Sequence, residues 1–560
     1  MKSKNIFIKT LVFILVTGIT TTFLWSFKEG DDFKIAKSMD IFYSLFRDVN
    51  VYYVDETNPD KMVETGINAM LEELDPYTVY IPEKDMDEFK FMTTGQYGGI
   101  GALIRSMDEF PIVAKPYKGF PADKAGLKAG DKILEIDGKP ANKIPLEQIS
   151  EKLKGIPQTT VKLLVERPYS GEKMEKELLR EEIQIKSVPY YGVVDENIGY
   201  IRVSKFTPDV SREVKNILRE LKAEQQIESV ILDLRANPGG LLGEAPKICN
   251  LFIPKGEEIV STKGKTKKWN QTLKTTEFAY DTDIPLAVLV SRTSASASEI
   301  VAGAIQDLDR GIIVGQQTFG KGLVQTTIPL NYNAQLKVTT AKYYIPSGRC
   351  IQALDYTHRN EDGSVGYIPD SLISEYTTRN GRKVYDGGGI RPDVDVKSKE
   401  VSQMSISLLS QNVVFNYATK FAHENPTIDD AEKFNITDNI YDDFVTFALA
   451  QDFDYESESE RELKEFIEIT KREKFYQRVE NEINALQNQL INDKKEDLYA
   501  FKEEVIQFLR DEIVGRYYYE EGQIQANLKD DTQLKRAINI LKNKERYYAI
   551  LSGENQKKEE

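Results

Sequence analysis

Ser296 and Lys321, 25 positions apart, are the residues of this 560-residue sequence best placed to do covalent chemistry. Ser296 sits in Thr293-Ser294-Ala295-Ser296-Ala297-Ser298-Glu299, after an apolar run from Leu286 to Val290 and before a segment that reads as a helix from about Ala297. A serine on such a strand-to-helix turn is presented on a sharp bend, beside main-chain N–H groups that can hold an oxyanion. The same residues also spell a capping box, Ser296-x-x-Glu299, and serine is a preferred helix N-cap. Taken alone, capping is the simpler reading.

Lys321 changes that balance. Gly315-Gln316-Gln317-Thr318-Phe319-Gly320-Lys321-Gly322 follows the apolar strand Ile312-Ile313-Val314 and nearly matches a phosphate-cradling loop. Gly322 stands where that loop needs a hydroxyl for Mg²⁺, and residues 323–330 read as strand rather than helix, so nucleotide binding is set aside. What remains is a lysine between glycines, on a backbone free to approach another segment closely. A neutral lysine can act as general base, and a serine needs a base to become a nucleophile. The only histidines are His358, in a polar stretch that reads as a surface loop, and His423, in a charged helical tail. Neither is placed to serve Ser296, which leaves a Ser-Lys pair as the available route to acyl transfer. A third segment, Asp233-Leu234-Arg235-Ala236-Asn237-Pro238-Gly239-Gly240, closes the apolar run that starts at Ser229. Its paired glycines can turn N–H groups toward a ligand, although an ordinary Pro-Gly turn has the same residues.

These segments need a frame. From 186 to 400, apolar strands such as Ile198 to Val203 alternate with amphipathic helices such as Ser211 to Gln225, which implies parallel strands with crossover helices and a site at strand C-terminal ends. Residues 94–185 differ: Gly95, Gly98, Gly99 and Gly101 precede short strands, and an Asp137-Gly138 turn follows one of them. Residues 31–93 read as helical, with Ile41, Leu45 and Val49 at four-residue steps. Residues 401–560 are helical and charged, and Phe475, Val479, Ile483, Leu486 and Leu490 form an apolar stripe. In residues 1–30, Lys2, Lys4 and Lys9 precede an apolar run from Leu11 to Phe27, the pattern of a cleaved export signal or a membrane anchor. Either one places the rest of the chain outside the cytoplasm.

Composition narrows the classes. A net charge of -15 argues against a nucleic-acid partner, and 40% hydrophobic residues fit a folded chain of several domains. Cys249 and Cys350, the only cysteines, read as two buried free thiols, with a single disulfide between them as the alternative, and no His/Cys cluster has metal-ligand spacing. No metal or organic cofactor is expected.

Several further motifs lie in order between residues 35 and 400: Leu74-Asp75-Pro76, Tyr97-Gly98-Gly99-Ile100-Gly101, Ala125-Gly126-Leu127-Lys128-Ala129-Gly130-Asp131, Tyr343-Tyr344-Ile345-Pro346-Ser347-Gly348-Arg349 and Gly388-Gly389-Ile390-Arg391-Pro392-Asp393. With the three segments above, they resemble the tail-specific, or C-terminal-processing, serine proteases. The resemblance implies an α/β multidomain chain. It would have an N-terminal helical region (31–93), a PDZ β-sandwich or barrel-like domain (94–185), a ClpP/crotonase-like α/β protease core (186–400) and a helical C-terminal extension (401–560). It implies that Ser296 is the nucleophile, Lys321 the general base and Gln325 the residue that orients the lysine. The N–H groups of Ala297 and Gly240 would form the oxyanion hole. Gly99, Ile100 and Gly101 would bind a substrate's C-terminal carboxylate by strand addition, and Arg167 would be a contact between the PDZ domain and the core. The implied partners are protein or peptide C-termini, with the membrane reached through the N-terminal segment and no nucleic acid. The extension could pack on the core, self-associate or bind an adaptor. The competing reading is a catalytically silent PDZ scaffold of the cell envelope.

Overall fold

The computed structural model describes residues 30–397, 400–451, 453–490 and 494–554, and divides into two units, residues 1–80 and 81–560. The expected export signal or anchor lies outside the described residues. Among the described residues no helix is long and apolar enough to cross a membrane. The first unit holds helix α1 (Gly30–Tyr52) and helix α2 (Pro59–Glu72). The second begins with α3 (Met86–Thr94), which stops at Gly95 in the left-handed region.

A small β module follows. Strand β1 (Gln96–Gly99) leads into β2 (Ala102–Met107) and β3 (Phe110–Pro116); then come α4 (Pro121–Lys124), β4 (Lys132–Ile136), α5 (Leu146–Leu153), β5 (Thr160–Glu166), β6 (Lys173–Leu179) and β7 (Glu181–Gln184). Antiparallel pairing gives the order β2-β3-β4-β5-β6, so β2 is an edge strand, and β1 pairs with β7. Val113, Ile133, Ile149 and Val165 meet in the centre of the module.

The core carries the strands β8 (Tyr190–Asp195), β9 (Ile198–Arg202), β10 (Ser229–Asp233), β11 (Glu258–Gly264), β12 (Gln271–Lys274), β13 (Leu286–Val290), β14 (Ile312–Gly315), β15 (Leu323–Pro329), β16 (Gln335–Tyr344), β17 (Leu354–Arg359), β18 (Val365–Tyr367) and β19 (Val394–Asp395). One sheet runs β8-β9-β10-β13-β14-β19, parallel except for the β8 edge. Helices α6 (Val210–Glu224), α7 (Glu244–Cys249) and α8 (Ala297–Asp307) cover one face. β15, β16, β11 and β12 pair antiparallel in a second sheet. His358, expected in a loop, lies on β17; the hairpin closes because the Asn360 N–H donates to the Ser364 carbonyl.

β10 and β13 are buried at every position. A parallel strand buried on both faces needs cover on both. The C-terminal region holds α9 (Gln403–Ser410), α10 (Val413–Glu424), α11 (Asp438–Ala450), α12 (Glu458–Arg472), α13 (Tyr476–Leu490), α14 (Lys494–Ala500), α15 (Lys502–Leu528), α16 (Thr532–Lys542) and α17 (Lys544–Ser552), and its last two helices supply the second cover. Leu534, Ile540, Tyr547 and Leu551 of α16 and α17 pack against Tyr200, Ile231, Leu289 and Val314 of the sheet. α10, α11 and α15 build a separate core around Tyr417, Tyr441 and Phe444. The stripe on α13 meets α12 through Val479 and Ile483, while Phe475 and Leu486 stay exposed.

Candidate active site

Ser296 stands at φ 57°, ψ -114°, a conformation that side-chain-bearing residues rarely hold, where the loop after β13 turns into α8. The buried Asn237 pins that turn: its carbonyl accepts the Ala295 N–H at 3.0 Å and the Ser298 hydroxyl at 3.0 Å. Its side chain donates to the Val203 carbonyl at 2.8 Å and accepts the Gly239 N–H at 2.8 Å. At Gly239 a Cβ would fall 2.8 Å from Ser296 Cβ and 2.9 Å from the Ala297 nitrogen, so only glycine lets the two turns touch. Gly240 bridges to Phe206. Among the described residues no main-chain hydrogen bond uses the N–H of Ala297 or of Gly240, whereas that of Gly239 is taken by Asn237. Two unused donors thus flank a serine on a strained turn, the arrangement needed to hold an oxyanion.

Glu299 does more than cap the helix. It is completely buried, and its carboxylate accepts four hydrogen bonds: Oε2 takes the Ser296 N–H at 2.7 Å and the Lys321 N–H at 2.9 Å, and Oε1 takes the Gly320 N–H at 2.7 Å and the Thr318 hydroxyl at 2.6 Å. One side chain therefore ties the serine residue to the lysine residue. Burial pushes its pKa up to about 7 against the opposing pull of those donors. Thr318 in turn accepts the Ile390 N–H at 2.7 Å, which links the Gly388–Asp393 segment to the site.

Tyr343, on β16, closes the pair from the other side. Its hydroxyl lies 2.5 Å from the Lys321 carbonyl, to which it donates, and 3.3 Å from the Ser296 carbonyl. Tyr343→Phe should fold, leave the half-buried Lys321 carbonyl without its donor at a cost of about 1 kcal/mol, and lower kcat roughly tenfold with KM unchanged. Steady-state kinetics on a fixed peptide check this; an unaltered kcat removes the hydroxyl from the site.

Gln325 sits at a bulge in β15, and its Nε2 donates to Thr339 Oγ1 at 3.1 Å. Beneath the site Asp233 is fully buried; burial raises its pKa, but Arg235 and the Tyr200 hydroxyl outweigh that and hold it below the ordinary carboxylate range. Arg235 also pairs with Asp531, joining the site's floor to the helical extension. The sequence motifs contained Glu299, Thr318 and Tyr343. Their joint action was hidden, because it depends on which main-chain atoms three distant segments bring together.

In the β module, Gly99 is held in β1, and no main-chain bond uses the N–H of Ile100 or Gly101 among the described residues. Gly101 is at φ 72°, and a Cβ there would lie 2.4 Å from Phe120 Cβ. Arg167 makes its hydrogen bonds inside the module and lines a cavity shared with the C-terminal helices. Its Nε and Nη2 meet the two oxygens of Asp131 at 3.0 Å each, and Nη2 also meets the Gly126 carbonyl at 2.9 Å. Cys249 is buried and Cys350 partly so, both free.

A serine at a strand-to-helix elbow, tied through Glu299 to a lysine loop, is the arrangement of a serine peptidase. The comparisons agree. Residues 197–358 match the model of peptidase family S41, residues 89–166 that of the PDZ domain, and residues 404–541 that described as "Probable PDZ-protease, C-terminal helical domain". The carboxy-terminal-processing protease of Bartonella bacilliformis is 34% identical over 358 residues, covering 63% of this chain and 80% of that protein. A Staphylococcus aureus protein named "Probable CtpA-like serine protease" is 35% identical over 311 residues, 55% of this chain and 61% of that protein. The solved photosystem II D1 C-terminal processing protease aligns at 25% identity and TM-score 0.34, over 64% of this chain and 92% of its own. The chain belongs to the carboxy-terminal-processing proteases of peptidase family S41. It is a serine peptidase with a PDZ domain, an α/β protease core and a C-terminal helical domain.

Proposed function

We propose that the enzyme captures the C-terminal tail of a protein in its PDZ domain and cleaves that protein through an acyl-enzyme on Ser296. The neutral Lys321 amine takes the Ser296 hydroxyl proton as Oγ attacks the scissile carbonyl. The developing oxyanion is held by the N–H groups of Ala297 and Gly240. Lys321 then returns the proton to the leaving amine, and water, activated by the same amine, hydrolyses the ester. Gln325 supports the lysine from the neighbouring strand. The observation that carries this reading is the Glu299 carboxylate bonded to the main chain of both Ser296 and Lys321. A tail carboxylate would sit on the N–H groups at Gly99, Ile100 and Gly101, with the tail strand added to the free edge of β2. The N-terminal basic and apolar run supports action on the outer side of the cytoplasmic membrane, in the periplasm or cell envelope, with the chain tethered there. The α12–α13 hairpin, with Phe475 and Leu486 exposed, offers a surface for self-association or an adaptor.

The test is labelling with a fluorophosphonate probe across pH 6–9, alongside cleavage of a tail-bearing protein. Wild-type protein should be labelled at Ser296, and Ser296→Ala should be neither labelled nor active. Blocking the substrate's C-terminus as an amide should weaken capture at least tenfold. Equal labelling of wild type and Ser296→Ala would sink the assignment, and absence of labelling and cleavage in both would leave the silent scaffold.

A further inference from the structure

The PDZ domain and the helical domain enclose a cavity of about 630 Å³. It opens on the face of β2 that carries Leu103 and Arg105, and Lys115 lies opposite Leu103 in the β2–β3 register. The alternate β2 residues, Ala102 and Ile104, turn the other way into the domain core, where α5 also packs. Successive residues of a strand point to opposite faces. A tail strand added along β2 therefore presents every second side chain to the α5 side and the intervening ones to the face that bears Arg105.

The charge on that face is unbalanced. Arg105, Lys115, Lys128, Arg167 and Arg516 line the cavity, against the carboxylates of Asp123, Asp131 and Glu512. Each carboxylate already has a partner. Asp131 holds Arg167, Glu512 holds Arg516 at 2.9 Å, and Asp123 accepts the Tyr519 hydroxyl at 2.5 Å and the Gly119 N–H at 2.7 Å. Arg105 and Lys115 feel Glu512 and Asp511 through space, but neither makes a hydrogen bond or ion pair with a carboxylate among the described residues. Lys115 donates only to the neutral Gln523 amide at 2.9 Å, and Lys128 makes no side-chain hydrogen bond among the described residues. Arg105 lies 3.8 Å over the Phe415 ring, whose surroundings also include Arg516 at 4.4 Å, and its Nε and Nη2 are buried without an acceptor. A desolvated guanidinium stacked on an aromatic face is stabilised in part by the ring, and far more by a carboxylate. The excess of cations is local, in a chain of net charge -15.

We infer that this cavity reads the substrate tail, selecting an acidic side chain at one of the alternate positions that project beside Arg105 and Lys115. The inference rests on tail capture along β2 as proposed above and names the substrate class: proteins whose C-terminal tail carries Asp or Glu at an alternate position near its end. The helical domain is then part of the recognition site, since Phe415 and Arg516 form its far wall.

The test uses the full-length Ser296→Ala protein and fluorescent peptides with a free carboxylate, scanned with Ala, Glu and Lys at the second to fifth positions from the end. Glu at one position, or at two positions separated by one, should tighten Kd about tenfold over Ala, and Lys should weaken it. The gain should shrink with added salt. Arg105→Gln and Lys115→Gln should each reduce the Glu advantage, read as the ratio of the Ala-tail Kd to the Glu-tail Kd in the same variant. Lys115→Gln is the safeguard if Arg105→Gln disturbs the domain contact, because Lys115 bonds only Gln523. Equal Kd values for Glu and Ala tails at every position overturn the inference while capture itself stands. A Glu advantage that survives both substitutions also overturns it. If peptide amides bind as well as free acids, tail capture fails, and this specificity falls with it.

Discussion

Lys321→Arg protein is expected to fold like the wild type and to cleave at least about 10³-fold more slowly, within the range that a general base contributes. The substitution isolates the amine. Lys321's contacts with Glu299 and Tyr343 use its main-chain N–H and C=O, so both survive in the variant. Charge and reach are nearly kept, and what disappears is a group able to lose its proton, since a guanidinium stays protonated. If Lys321 served only as a positive charge near the oxyanion, arginine would keep most of the rate. Lys321→Ala extends the test: added methylamine should restore part of the activity, more so as pH rises and the free amine accumulates. Turnover by Lys321→Arg within tenfold of wild type, or Lys321→Ala that no amine rescues at any pH, would take lysine out of the proton transfer.

Much of this site could be read from residue order. The strand before Ser296, the helix after it, the glycines around Lys321 and the near absence of histidine led to the same pair that Glu299 is seen to join. Other parts were not legible, for physical reasons. Glu299 at the third helical position satisfies the capping rule by itself, so its three further donors, from residues 318–321, leave no trace in local pattern. The Arg167 ion pair was equally hidden: its partner, Asp131, is remote in sequence and is brought to it by the pairing of β4 with β5. The extension was read as charged helix with an open role. The signal was in the core instead, where strands without a polar face demand a second layer, and α16 and α17 provide it.

Glu299→Gln should affect both catalysis and the pH dependence of stability. The carboxylate offers two acceptor oxygens to four donors; the amide offers one oxygen and an NH₂ that confronts N–H groups. If the remaining oxygen faces Ser296 and Lys321, the Thr318–Gly320 side is pushed off, and in the flipped rotamer Ser296 and Lys321 separate. Displacement of about 1 Å between reacting groups costs on the order of 10² in rate, so kcat should fall about 10²–10³-fold while tail affinity holds. Stability carries a separate signature. The folded-state pKa of about 7 lies above the ordinary 4.5, so below pH 4.5 the carboxyl is protonated in both states and contributes its full share. As pH rises toward 7 the unfolded chain releases that proton first, and folding weakens by about 3 kcal/mol in total. The amide has no proton to release. Denaturant melts at pH 5 and pH 8 should therefore show the wild type losing ground to Glu299→Gln by up to that amount as pH rises. A stability difference that is flat across this window would mean that Glu299 is ionised in the folded enzyme at ordinary carboxylate pH, stabilised by its four donors more than burial opposes it. The kinetic loss would then still separate a residue that holds Ser296 to Lys321 from one that only starts a helix.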